Sequence, residues 1–203
     1  STVHKPSSPL NLVRTIETKA AMPVFEFTLE SSKHDAMIGG VPSDPMECSS
    51  ADHIVVISNS AGTTVSIYEN TASMTPLVLD RPISSFVPQS VSGPGFETDR
   101  NGCCDGLVLY DHDESKWFLV EMGNDVDGLH VYISHTSDPT GSYDYRFVAT
   151  SDFPDYEKIG LYQNHVTFGT NEANPGMYVI DKAELIASDT STNFQIKRTS
   201  IGG

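Results

Sequence analysis

Residues 134–160, SHTSDPTGSYDYRFVATSDFPDYEKIG, constrain the fold of this chain more than any other stretch. The segment 143–149 alternates aromatic and polar side chains, which is typical of a strand that ends an antiparallel unit. Turn-forming Asp, Pro, Gly and Ser residues lie on both sides of it, and the next strand pattern begins almost at once. Units joined by so short a linker indicate a fold made of repeated small sheets.

An internal repeat supports this interpretation. Hairpin patterns lie at residues 53–68, 106–123 and 159–171, and residues 53–58 form the continuous apolar run of a fully buried inner strand. Corresponding residues recur after 46 to 52 positions, as in the pairs Asp105 and Asp155, Tyr110 and Tyr162, and Tyr132 and Tyr178. A four-stranded propeller blade takes about 40 to 50 residues. The sequence therefore predicts an all-β fold, a partial β-propeller of three to four four-stranded blades, with a β-sandwich as the alternative.

The predicted blades occupy residues 22–203, divided near 22–100, 101–150 and 151–203. Residues 1–21 lack periodicity and are predicted to form an arm or linker. MPVFEFTLE (22–30) is predicted to be an outer strand. Since 203 residues make about four blades, we expect either a part of a larger ring or a ring closed by assembly.

Charge limits the partners. The chain has 27 acidic and 12 basic side chains, a formal net charge of −15. Such a surface repels nucleic-acid phosphates and anionic lipids, so neither nucleic acid nor membrane is an expected partner. No apolar run reaches the roughly 20 residues that span a bilayer. The acidity suits cations, cationic surfaces or simple solubility.

Three cysteines leave the pairing open. Cys48, Cys103 and Cys104 permit at most one intrachain bridge, and no CxxC spacing suggests zinc or a redox dithiol. Cys48 could pair with Cys103 or Cys104, the latter two could form a vicinal bridge, or all three could be buried thiols.

Acidic residues recur near the starts of the inner strands. Asp44, Asp105 and Asp155 each precede or begin such a strand and are predicted to point to one mouth of a central channel. There they could bind Ca²⁺ or pair with Tyr156 and Lys158. The alternative is that each caps a turn by accepting backbone N–H bonds.

Two loops also carry alternating oxygen ligands. Asp111 and Asp113 lie in one, and Asp125 and Asp127 in the other, at a spacing that can wrap Ca²⁺. Neither loop has the Gly and distant Glu of a complete helix-loop-helix calcium site, and the same residue types form hairpin turns. Turn chemistry is therefore the alternative for both loops.

Motifs for other chemistries are missing from the sequence. There is no GxSxG elbow, no HExxH zinc motif and no Walker-type phosphate loop. Trp117, the only tryptophan, lies in a strand pattern and is expected in the core. Paired carboxylates for glycoside hydrolysis remain compatible with the many acidic residues.

Three segments carry a family resemblance: PSDPMECSSADHIVVISNSAGTTVSIY (42–68), CDGLVLYDHDESKWFLVEMGN (104–124) and residues 134–160. The second matches an Asp-x-x-Val-x-Tyr-Asp … Arg-Trp-Phe-Leu pattern, with Lys116 where Arg is common. The third is the most specific, because a TSDPTG turn precedes an aromatic strand and an FPDYPK-like segment begins the next blade. On these segments the chain resembles a family of secreted or surface β-propellers with about seven blades. The resemblance implies an architecture and an extracellular or cell-surface location more firmly than an activity.

Two functions follow as hypotheses. The sequence favours an extracellular or cell-surface interaction scaffold, with Ca²⁺ as a possible structural ligand. Its partner would be protein, either the remaining blades of a longer chain or other protomers, with glycan as a further possible ligand. The alternative is a hydrolase or lyase acting on polysaccharide, with Asp105, Asp155, Tyr156 and Lys158 at the channel mouth. That alternative requires these groups to converge on a pocket that contains strongly shifted pKa values.

Overall fold

The computed structural model describes residues 44–60, 62–91, 102–187 and 194–200. These residues form three antiparallel four-stranded sheets. Sheet one contains β1 Met46–Ser49, β2 His53–Ser60, β3 Gly62–Glu69 and β4 Pro76–Pro82. Sheet two contains β5 Leu107–Asp111, β6 Lys116–Met122, β7 Gly128–Ser134 and β8 Tyr143–Ala149. Sheet three contains β9 Lys158–Tyr162, β10 His165–Thr170, β11 Gly176–Asp181 and β12 Ile196–Ser200.

The sheets are arranged as propeller blades. Within each sheet the strands lie side by side in chain order, and neighbouring strands are antiparallel. The first strands also meet one another, since β5 contacts both β1 and β9. Successive sheets that meet through their first strands have the radial order of a propeller. The prediction of an all-β partial propeller is therefore confirmed.

Two apolar cores join the three sheets. The alternation of side chains along β6 shows how, because Trp117 and Leu119 face sheet one whereas Phe118 and Val120 face sheet three. All four side chains are completely buried. Sheet two is thus covered on both faces, which explains why its strands are apolar with little interruption.

The TSDPTG signature forms the turn between β7 and β8. Its Asp138 accepts the backbone N–H of Thr140 at 2.9 Å and the Thr140 hydroxyl at 2.8 Å. These bonds lower the pKa of Asp138. The indole N–H of Trp117 donates to the carbonyl of Ser137 at 3.0 Å, which ties the turn to the core. This turn therefore has a structural role.

The helical structure of the described residues is short. Helix α1 covers Lys182–Ala187, within the segment whose pattern is helical in the sequence, and a 3₁₀ turn covers Ile83–Phe86. None of the described helices is long and apolar enough to cross a membrane. The predicted arm, residues 1–21, and the predicted strand 22–30 lie outside the described residues. The predicted division into blades stays a prediction.

Candidate functional site

A cavity of about 380 Å³ lies where the first strands of the three sheets begin. Its polar lining comes from Asp44 ahead of β1, Asp105 ahead of β5, and Tyr156 and Lys158 at β9. Met46 and Leu107 contribute apolar wall. The structure thus brings together four of the residues predicted at the channel mouth. We call this cavity the mouth site.

The three blades present equivalent residues to the mouth site. Asp44, Asp105 and Tyr156 each lie two positions before the first strand, with φ angles of 31°, 51° and 52°. Left-handed backbone at non-glycine residues is uncommon and clusters at functional sites. Its recurrence in all three units shows that the approach to each first strand has the same conformation.

Asp155 is not part of the mouth site. Its side chain is exposed, and its carbonyl accepts the N–H of Asn171 at 2.9 Å. The sequence repeat aligned Asp155 with Asp105, but the structural equivalent of Asp105 is Tyr156. The repeat was therefore read one residue out of register in the third blade, and the predicted grouping is wrong for Asp155.

Asp105 is held by reciprocal hydrogen bonds with Asn59 at the end of β2. The Asn59 Nδ2 group donates to Asp105 Oδ1 at 3.1 Å, and the Asp105 N–H donates to Asn59 Oδ1 at 2.8 Å. These bonds fix the carboxylate at the junction of the first two sheets. The described residues supply no hydrogen-bond donor to its Oδ2 oxygen, which leaves it available to a ligand.

Glu157 is the residue that sequence reasoning missed. Its side chain is completely buried, and neither carboxyl oxygen has a hydrogen-bond partner among the described residues. Burial raises its pKa to about 8 against the lowering effect of the nearby N–H of its own backbone. The negative charges of Asp105 and Glu121 raise the pKa further, and the positive charge of Lys158 lowers it. The repeat contained a signal for Glu157: at the equivalent position the other two units have the uncharged residues Pro45 and Gly106.

The neighbours of Glu157 form part of the cavity wall. The Lys158 ammonium lies 3.4 Å from the centre of the Tyr156 ring, a cation–π contact. The same ammonium donates to the carbonyl of Glu157 at 2.7 Å. Tyr156 is 63% exposed and presents its ring to the cavity entrance. Glu157 itself is not among the residues that line the cavity, whereas the residues on either side of it are.

The predicted calcium ligands do not gather. Among the described residues, no three His, Cys, Asp or Glu side chains lie close enough to hold a metal ion. Asp111 bonds Lys182 Nζ at 2.7 Å through Oδ2, and through Oδ1 it accepts the N–H groups of Asp113 and Glu114. Its role is that of a turn residue and ion-pair partner. Calcium binding by these residues, and by Asp125 and Asp127, stays a prediction.

The cysteines adopt the vicinal option. Cys103 is bonded to Cys104, and Cys48 is a free, half-buried thiol. Cys48 packs against the core between sheets one and two, whereas Cys103 and Cys104 pack against the core between sheets two and three. Of the alternatives that the sequence left open, the vicinal bridge is the one that the structure shows, and Cys48 pairs with neither of the other two cysteines.

Comparisons with known proteins find only distant similarity. No family model and no curated protein matches the sequence. One solved structure that resembles the fold is a GH43 β-1,3-galactosidase, with a TM-score of 0.46 and 11% sequence identity. The match covers 76% of this chain and 34% of that enzyme, so the chain spans about a third of the enzyme's length.

Proposed function

We propose that the chain hydrolyses glycosidic bonds at the mouth site. The observation that carries this proposal is Glu157, a completely buried carboxyl with a pKa raised to about 8, whose two sequence neighbours line the mouth site together with Asp105. Glycosidases need one carboxyl that keeps its proton at working pH and a second that does not. We assign the first role to Glu157 and the second to Asp105.

Each group has a role in the proposed reaction. Glu157 donates its proton to the glycosidic oxygen as the bond to the anomeric carbon breaks. Asp105, aligned by Asn59, either removes a proton from the attacking water or attacks the anomeric carbon itself. The separation of the two carboxyls in the substrate complex decides between these pathways.

The cavity wall has to admit the substrate. The proposal requires the substrate to displace the pair formed by Tyr156 and Lys158, because Glu157 is completely buried and does not line the cavity. The exposed Tyr156 ring then offers a flat surface to a sugar face. With a formal charge of −15, the chain suits a neutral saccharide, and an extracellular location, where polysaccharides occur, is part of the proposal.

Aryl glycosides and neutral polysaccharides test the activity. Glu157→Gln keeps the shape but removes the proton, and should lower kcat/KM about 100-fold or more, with Asp105→Asn similarly impaired. Asp155→Asn is the matched control, because Asp155 is an exposed carboxylate outside the cavity. Equal activity of Glu157→Gln and the parent chain, or no activity on any glycoside, would reject the proposal.

A second candidate function, interaction with a further sheet, is favoured by the outer face of sheet three. In sheets one and two, four equivalent positions face the next sheet and are buried: Val55, Ile57, Val65 and Ile67, then Phe118, Val120, Val131 and Ile133. The equivalent residues of sheet three are Thr167, Gly169, Met177 and Val179. Met177 is 39% exposed, and a Cβ added at Gly169 would meet no atom within 4 Å.

This outer face is proposed to pack on a further four-stranded sheet, from a longer chain or another protomer. Without that sheet we expect weak, concentration-dependent self-association in sedimentation velocity, which Met177→Lys should reduce. Leu79→Lys, at a side chain of sheet one that is 53% exposed, is the control. A chain that stays monomeric at all concentrations would count against the candidate.

A further inference from the structure

A second cavity, of about 290 Å³, lies at the opposite end of β5 and β9 from the mouth site. It is bordered by the β5–β6 turn and by the turn between β9 and β10. Tyr110, Tyr162 and Gln163 contribute side chains to it, and the ion pair of Asp111 and Lys182 borders it as well. We call this cavity the distal site.

The ion pair provides a buried hydrogen-bond donor. Lys182 and Asp111 have side chains that are 4% and 5% exposed, with Nζ 2.7 Å from Oδ2. A lysine ammonium has three N–H donors, yet the described residues supply a single acceptor to it. Leaving a buried donor without a partner costs free energy, so an acceptor group on a ligand would complete the hydrogen bonding of the Lys182 ammonium.

Two tyrosines provide flat surfaces beside that donor. The Tyr110 ring is held between the rings of Trp117, at 4.7 Å, and His112, at 4.9 Å. Tyr162, at the end of the neighbouring first strand, is 71% exposed. A held ring and an exposed ring therefore occur in one small cavity, together with the amide of Gln163.

We propose that the distal site binds a neutral sugar residue. Lys182 and Asp111 neutralise each other, and the nearby carboxylate of Asp113 disfavours anions. A sugar hydroxyl can accept from the Lys182 ammonium while another exchanges hydrogen bonds with Gln163, and its C–H face can pack on Tyr162. This proposal does not depend on hydrolysis at the mouth site, because the two cavities share no lining residue.

Titration with sugars, followed by ¹H–¹⁵N NMR, tests the proposal. Trp117, the only tryptophan, contacts Tyr110, so its indole N–H signal reports on the distal site. The probes are methyl glycosides of neutral hexoses and pentoses, with galacturonate as the charged comparison. We expect saturable shifts of the Trp117 signal with at least one neutral glycoside and none with galacturonate.

Variants separate the two cavities. Tyr162→Ala should weaken binding about tenfold or more and leave hydrolysis of small aryl glycosides unchanged. Tyr156→Ala, at the mouth site, is the matched control and should leave the Trp117 response intact. Both tyrosines are exposed, so neither truncation removes core packing. No saturable response to any neutral glycoside, a preference for galacturonate, or equal affinity of Tyr162→Ala and the parent chain would overturn the proposal.

Discussion

Two buried glutamates of the third blade, Glu157 and Glu172, have opposite environments. Glu157 is 0% exposed and has no hydrogen-bond partner among the described residues. Glu172 is 4% exposed, and its carboxylate accepts hydrogen bonds from the backbone and hydroxyl of Ser151, the hydroxyls of Thr170 and Tyr178, and the guanidinium of Arg198. Burial raises the pKa of Glu157 to about 8, whereas at Glu172 the donors outweigh burial and lower the pKa.

The difference shows that burial alone does not decide what a carboxyl does. At Glu172 the donors come from the segment after β8 and from β10, β11 and β12, so the carboxylate holds those elements together. At Glu157 no comparable donors offset the cost of the charge, so the group keeps its proton. The first arrangement stabilises the fold, and the second leaves a buried carboxyl with a raised pKa.

Removal of the Glu172 carboxylate should have the largest effect on stability. Glu172→Ala leaves the buried hydroxyls of Thr170 and Tyr178 without their acceptor, and we expect a loss of about 3 to 5 kcal/mol in the free energy of unfolding. Urea denaturation measures it. Glu114→Ala, at an exposed turn position, is the control. A loss equal to that of the control would contradict the structural role of Glu172.

Glu157→Gln should change how stability depends on pH. The folded state holds the Glu157 proton more tightly than the unfolded chain does, and this difference contributes to the free energy of unfolding. The contribution is complete below pH 4.5 and is lost as pH rises through about 8. The loss amounts to roughly 3 to 5 kcal/mol in the parent chain and should be missing from Glu157→Gln. Urea denaturation at several pH values compares the two. Parallel profiles from pH 5 to 9 would show that Glu157 titrates normally.

Charges at the mouth site should shift the pKa of Glu157 by smaller amounts than burial does. The negative charge of Asp105 raises the Glu157 pKa and the positive charge of Lys158 lowers it. Asp105→Asn should therefore move the titration midpoint down and Lys158→Met should move it up, each by less than the effect of burial. NMR titration of the Glu157 carboxyl carbon measures both shifts. Shifts of the same sign in the two variants would contradict this arrangement.

The sequence predicted the strands better than it predicted the site. The aromatic alternation of residues 143–149 depends on local periodicity, and the strand formed there as predicted. Asp105 and Lys158 were also predicted at the mouth, because residues near the starts of first strands converge in a propeller.

Glu157 could not be found in the same way. Its pKa depends mainly on how completely the folded chain buries its carboxyl group, which is a tertiary property. The repeat directed attention to Asp155, one position before the true equivalent of Asp105. A charged residue in the place of Pro45 and Gly106 was the only local signal.

The most direct test of the account is the pKa of Glu157 itself, measured by NMR from the pH dependence of its carboxyl ¹³C shift, with Glu157→Gln used to assign the signal. A midpoint near pH 8 is the predicted result and would leave a proton on Glu157 at neutral pH. A midpoint near the ordinary glutamate value of about 4.3 would contradict the account, because Glu157 could then not act as the acid of the mouth site.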